Sequence, residues 1–125
     1  MKYHTFLPKF HPLILARAKQ TTIRGRTLVK PGETFALRHW TGKAYRSPMG
    51  VLGTATCQSV QTISVYEEGY GIYIDSLPVA DPDAVARRDG FACAAAMRDH
   101  FIATCGLPFT KVLITWGDTF QPAGA

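Results

Sequence analysis

Lys19-Gln20-Thr21-Thr22-Ile23-Arg24, followed by Gly25-Arg26, is the stretch whose residue types are able to do chemistry. A lysine within reach of a threonine hydroxyl is a base beside a nucleophile. The same residues also supply hydroxyl and cation contacts to phosphate. By composition alone they equally fit a solvated, helix-terminal lysine followed by β-branched strand formers. Lys19 and Thr22 lie three apart, so they share a face if a helix runs through both. A helix C-terminus favours a protonated amine, whereas a base must be neutral. Lys19 therefore acts as a base only if burial lowers its pKa.

Asp89-Gly90-Phe91 supplies a carboxylate far along the chain. The glycine permits a sharp turn that aims Asp89 and Phe91 in different directions. Phe91 is expected in the core. Asp89 either caps the helix that follows or faces Lys19 and sets its charge. A third set combines Trp40, Lys43, Tyr45 and Arg46 with Arg24 and Arg26. Cations interleaved with aromatics suit stacked bases and phosphates, although exposed basic loops are common. His100 is expected on a helix surface, and Trp116 in the core.

These residues need elements to hold them. Phe6, Phe10, Leu13 and Ile14 recur near helical spacing, and Pro12 suits a first turn, so a helix is expected over about 11–19. Thr21-Thr22-Ile23 favours an extended chain. Lys30-Pro31-Gly32-Glu33 reads as a turn. A strand follows at Thr34–Trp40, with Phe35 and Leu37 on one face. Met49–Val65 reads as one long strand, bent or bulged near Gly50 or Gly53. Glu67–Gly71 is a turn and Ile72–Ile74 a short strand. Asp81-Pro82 starts a helix that stops at Gly90. A second helix at about 92–104 presents Ala94, Met97, Phe101 and Cys105 to the core and ends at Gly106. Lys111–Trp116 reads as a central strand. The layout is α+β, and a small β-barrel flanked by helices fits it.

With 125 residues, 46% hydrophobic and 18% charged, the chain is expected to form one domain, 1–125, around one core. The net charge of +5 suits an anionic partner, nucleic acid being the commonest. No apolar run approaches the roughly 18 residues of a membrane span, and Met1–Thr5 lacks the apolar region of a secretory signal. A cytoplasmic protein without a membrane partner is expected. Cys57, Cys93 and Cys105 are odd in number and scattered, which points to buried, reduced thiols. The four histidines show no ligand spacing with them, so no metal and no cofactor is expected. No phosphate loop, GxSxG or HExxH occurs.

Phe10, Ile14 and Leu15, Lys19-x-Thr21-Thr22-Ile23-Arg24, Lys30-Pro31-Gly32-Glu33, Asp89-Gly90-Phe91, Met97, Phe101 and Leu113-Ile114-Thr115-Trp116 together resemble the ASCH domain family. The resemblance implies a PUA-like β-barrel and an RNA- or nucleoside-related role. One branch, of small bacterial amidohydrolases, deacylates N4-acetylcytidine with a lysine, a threonine three residues later, and a glutamate before the last helix. Lys19 and Thr22 match the first two; Asp89 stands where the branch has glutamate, and Arg17 where it has glycine. Carried onto this chain, Thr22 attacks the acyl carbon, Lys19 takes its proton and Asp89 orients Lys19. Arg24 holds negative charge near the oxyanion, and Trp40 or Tyr45 stacks on the base. Two other readings stand beside this one: a non-catalytic binding module for single-stranded RNA or a modified nucleoside, and a metal-independent ribonuclease. In the binding module, Lys19, Arg24, Arg26, Lys43 and Arg46 contact phosphates. A monomer or weak dimer is expected.

Overall fold

The computed structural model describes residues 1–27, 29–43, 46–67 and 71–124. In chain order they form β1 (Tyr3–Thr5), a 3-10 turn (Pro8–Phe10), α1 (His11–Leu15), β2 (Thr21–Arg24), β3 (Thr34–Trp40), β4 (Met49–Thr56), β5 (Ser59–Val65), β6 (Ile72–Ile74), β7 (Leu77–Pro78), α2 (Pro82–Arg88), α3 (Ala94–Thr104), β8 (Phe109–Thr115) and β9 (Gln121–Pro122). The expected α+β mixture is present. It is arranged as two sheets, ordered β1-β3-β4-β9 and β2-β8-β5-β6-β7. Among the described residues the strand ladders do not close into a ring.

The long strand expected over Met49–Val65 is two strands in different sheets. β4 pairs with β3, and β5 pairs with β8. The chain crosses between them at Cys57-Gln58, where the Cys57 amide donates to Glu33 O and the Gln58 amide to Thr115 O. The expected bulge is present: opposite Leu37 and Arg38 of β3, the register jumps from Gly53 to Val51. β8 lies between β2 and β5, inside its sheet as its unbroken apolar run predicts.

One core was expected, and the apolar side chains instead form two layers. Side chains alternate across a strand, so neighbours on β8 part company. Ile114 joins Phe6, Phe35, Leu37, Trp116 and Phe120 between the sheets. Leu113 joins Ile63, Val65, Met97 and Phe101 beneath α2 and α3. Phe91 packs against both layers.

Helix α1 is shorter than its spacing predicts. Arg17 takes φ +64°, a left-handed conformation, just past the Ala16 cap. The Arg17 amide donates to Ile14 O and the Ala18 amide to Leu13 O, the bond pair that closes a helix around a left-handed residue. Lys19 therefore lies in the connecting strap and shares no helical face with Thr22. The Gln20 amide ties that strap to Arg88 O at the end of α2, at 2.7 Å, and Gln20 O accepts from the Trp116 amide past the end of β8. On α2, Asp81 caps as expected, its carboxylate accepting from the Ala84 amide. On α3, Ala94, Met97 and Phe101 are buried as the spacing predicts. Cys105 sits beyond the last turn and is exposed, while Cys57 is buried. Among the described residues, no helix is long and apolar enough to cross a membrane.

Candidate functional site

The site lies at the seam between the sheets, where β1 is the edge of one and β2 the edge of the other. Among the described residues no ladder joins these edges, and the Arg24 side chain bridges them. Its Nη2 donates to Thr5 O at 2.5 Å, and its Nε donates to Thr22 Oγ1 at 3.0 Å. The guanidinium carbon lies 4.9 Å from the centre of the Phe6 ring. Beside this bridge opens a cleft of about 150 Å³, lined by Phe6, Phe10, Lys19, Thr22, Asp89 and His100 among others.

Lys19 and Asp89 are almost wholly buried, with 2% and 3% of their surface exposed. Lys19 Nζ donates to the main-chain O of Asp89 at 2.5 Å and lies 3.4 Å from its Oδ1. Thr21 Oγ1 donates to the same Oδ1 at 2.9 Å. The lysine amine also sits 4.5 Å from the centre of the Phe10 ring. Gly90 makes this contact possible. It holds φ +99°, and a Cβ there would meet Phe10 Cδ1 at 3.0 Å and the Lys19 Cδ methylene at 3.2 Å.

Burial governs the charges. Burial is the largest influence on Lys19 and lowers its pKa; Arg24 and Lys9 push the same way, against Asp89. Burial likewise raises the Asp89 carboxyl, against the pull of Lys19, Thr21 and Arg24. Both directions follow from the cost of holding charge in an apolar site. The condition for a basic lysine, burial that lowers its pKa, is met by its place in the strap.

Several expectations change here. Asp89 does not cap α3. Asp83 does so, its Oδ1 accepting from the Ala94 amide at 2.8 Å, because Asp89 ends α2 and its carboxylate turns inward to Lys19. Among the described residues no hydrogen bond joins Lys19 to Thr22; the two meet as walls of one cleft. Trp40 lines an adjoining groove of about 340 Å³ that shares Thr5, Phe6, Leu7 and Arg24 with the cleft. Arg26 is exposed and lines a separate cavity with Tyr3 and His4. Lys43 and Arg46 are exposed and line neither the cleft nor the groove; both lie beyond Trp40, where β3 ends. Tyr45 lies outside the described residues. Arg17 is exposed and turns away from the cleft, donating to Phe120 O at 2.5 Å.

Two groups escape a reading of the sequence. Thr21 looks like a strand former, yet it holds the Asp89 carboxylate; the adjacent Thr-Thr pair, whose side chains must point opposite ways, was the available signal. His100 is half-buried at the cleft and packs against Phe91, with ring centres 5.1 Å apart. Nothing in its local sequence marks that position. Among the described residues no cluster of His, Cys, Asp and Glu is arranged to hold a metal ion. No family model, curated protein or solved structure matches this chain.

Proposed function

We propose that this protein is an ASCH-type amidohydrolase that removes the acyl group from N4-acylated cytidine or a similar modified nucleoside. The observation that carries the reading is the buried lysine. Lys19 sits in one cleft with a threonine hydroxyl and is held by a carboxylate. Arg17 adds support for the resemblance. It occupies a left-handed conformation that costs an ordinary residue about 1–2 kcal/mol, and its counterpart in the amidohydrolase branch is a glycine. On this reading the two sheets are an opened form of the PUA-like barrel, and the cleft lies at the opening.

The chemistry is acyl transfer. A neutral Lys19 amine keeps two N–H groups for the main chain and carboxylate of Asp89, leaving its lone pair to take the proton of Thr22. The Arg24 Nε, 3.0 Å from Thr22 Oγ1, stabilises negative charge on that oxygen. The oxygen bonds to the acyl carbon, giving a tetrahedral oxyanion. Its collapse breaks the bond to N4 while the Lys19 ammonium returns a proton to the departing nitrogen. Water, giving a proton to Lys19, then attacks the threonine ester; collapse of the second tetrahedral intermediate breaks the ester bond, the Lys19 ammonium returns the proton to Thr22 Oγ1, and the carboxylic acid leaves. Asp89 stabilises the ammonium formed in each half. Arg24 acts here on the nucleophile, and two of its nitrogens are already engaged. The cleft of about 150 Å³ is smaller than the roughly 300 Å³ at which small-molecule sites begin, so the base extends into the adjoining groove beside Trp40.

A panel of N4-acylated cytidines and short RNAs, read by mass spectrometry, tests this reading. Wild-type protein should yield cytidine. Thr22→Ala and Lys19→Met should abolish turnover, Thr22→Ser should retain part of it, and Asp89→Glu should be tolerated. Turnover that survives Thr22→Ala would refute the nucleophile. Silence across the acyl panel with RNA retained would put the binding module in front; Arg26, beside Tyr3 in a cavity of about 620 Å³, favours that alternative.

A further inference from the structure

The end of the cleft away from Trp40 is built differently from the rest. Lys9 Nζ lies 3.0 Å from His100 Nδ1. The same ammonium sits 5.0 Å from the centre of the Phe10 ring and 5.6 Å from that of Phe91. Phe10, Phe91, Phe101 and His100 line this end, and their rings pack edge-on or tilted against one another. The result is an apolar end of the cleft, with the Lys9 ammonium set against its His100, Phe10 and Phe91 walls.

Charge around the cleft is unbalanced. Even with Lys19 neutral, the cations Lys9 and Arg24 act on the site against one carboxylate, Asp89, among the described residues. An uncharged acetyl amide would leave that excess unanswered. The position of the excess matters as much as its sign. In an N4-acylcytidine the sugar and the acyl group lie on opposite sides of the scissile bond. With the base in the Trp40 groove and the acyl carbon at Thr22, the acyl chain runs between the phenylalanines toward Lys9 and His100.

We propose that this end is an acyl-group subsite selecting chains that end in a carboxylate, such as a succinyl group. The methylenes pack on Phe10, Phe91 and Phe101. The terminal carboxylate accepts hydrogen bonds from Lys9 Nζ and the His100 ring, exchanging their mutual contact for one with substrate. The proposal rests on the amidohydrolase reading.

The test compares kcat/KM for N4-acetylcytidine, N4-succinylcytidine, N4-butyrylcytidine and the 5′-phosphate of N4-acetylcytidine. The expected result is a succinyl preference over acetyl of about tenfold or more, largely lost in Lys9→Met and reduced in His100→Phe. The butyryl amide, of similar length but uncharged, should gain little, which separates charge from chain length. Equal rates on succinyl and acetyl substrates, or a preference unaffected by Lys9→Met, would overturn the subsite while leaving the amidohydrolase reading standing. A preference for the 5′-phosphate that depends on Lys9 would also overturn it, since the cation would then serve the nucleotide end. No turnover of any substrate would fail the amidohydrolase reading itself, and the subsite with it. His100→Phe keeps a ring in the aromatic cluster, and circular dichroism of each variant guards against loss of fold.

Discussion

Removing Lys19 should damage the fold as well as any turnover, and the size of the damage follows from its setting. Lys19 Nζ and Asp89 Oδ1 are 3.4 Å apart, on side chains that are almost wholly buried. At an effective dielectric of about 20, unit charges at that distance attract by about 5 kcal/mol. Desolvation costs several kcal/mol per ion, so the pair is close to break-even. Deleting one partner is different, because the other is left buried and uncompensated. Lys19→Met should therefore lose about 3–5 kcal/mol of stability at pH 8. Asp89→Asn should lose less, because the Lys19 amine can shed its proton and still donate to the main-chain O of residue 89. The double variant should lose less than the two singles added together, by about 1–3 kcal/mol. The pH dependence has a definite sign. Without Lys19 the Asp89 pKa stands still further above its ordinary 3.8, so the folded state holds a proton that the unfolded state has released. The Lys19→Met variant should thus regain stability as pH falls from 8 toward 5. Urea unfolding followed by circular dichroism at the two pH values measures all of this. Strictly additive losses, or a Lys19→Met variant within about 1 kcal/mol of wild type at pH 8, would refute the account of the pair.

Gly90→Ala should lose about 1–3 kcal/mol, because φ +99° strains any Cβ and this one meets Phe10 and Lys19; a thermal midpoint within 1–2 °C of wild type would contradict it. His4, half-buried near Arg24 and bonded to Thr27, has its pKa lowered to about 4, with burial the main cause. Between that value and the ordinary 6.5 the unfolded state binds more protons, so His4 contributes stability that is lost as pH falls through this window. Titration of its ring signals by NMR should show no midpoint near 6.5, and one found there would refute the burial. All three thiols should titrate in denaturant; in the folded protein Cys105 should react first and Cys57 last, its thiol buried and its pKa raised by that burial. A Cys57 as fast as Cys105 would show the layer between the sheets to be open.

Much of the framework was legible because it rests on local signals. Asp81-Pro82 marks a helix start through capping, Gly90 marks its stop, and the Val-Leu-Ile run of β8 marks a central strand. What was lost depends on contacts between distant segments. Met49–Val65 is β-prone throughout, and composition cannot say that the chain changes sheets at Cys57. The 11–19 helix ended early because Arg17, with no local signal for it, took a left-handed turn and donated to Phe120 O, 103 residues away. Lys19, Thr22, Asp89 and Arg24, singled out from residue type, line one cleft, although Lys19 and Thr22 share no helical face. Arg26, Lys43 and Arg46 were grouped with them on charge, and charge alone does not place a side chain.

The location of the cleft has a physical cause in the topology. A seam between two sheet edges exposes backbone groups with no strand to satisfy them, and such edges must be covered or bridged. A hydrophobic plug would close the seam and leave no site. Arg24 closes it with a guanidinium, donating across the gap to Thr5 O and along its own strand to Thr22. That keeps the seam polar and narrow. It also brings a cation to Thr22, the nucleophile of the proposed reaction, with the Phe6 ring against the guanidinium and the Phe10 ring against the Lys19 amine. The strap through Lys19 completes the arrangement from the other side, anchored to the end of α2 and to the residues past β8 by backbone bonds of Gln20. Lys19, the base of the proposed reaction, is thus held in place by main-chain hydrogen bonds of its neighbour. One residue that holds two sheet edges together and tunes a threonine is a single point of failure. Arg24→Met, which keeps the packing on Phe6 but loses both hydrogen bonds, should lower kcat and stability together, whereas Arg24→Lys should restore stability better than turnover, since an ammonium reaches one of the two acceptors and cannot bridge both. Full turnover in Arg24→Met would separate the seam from the chemistry.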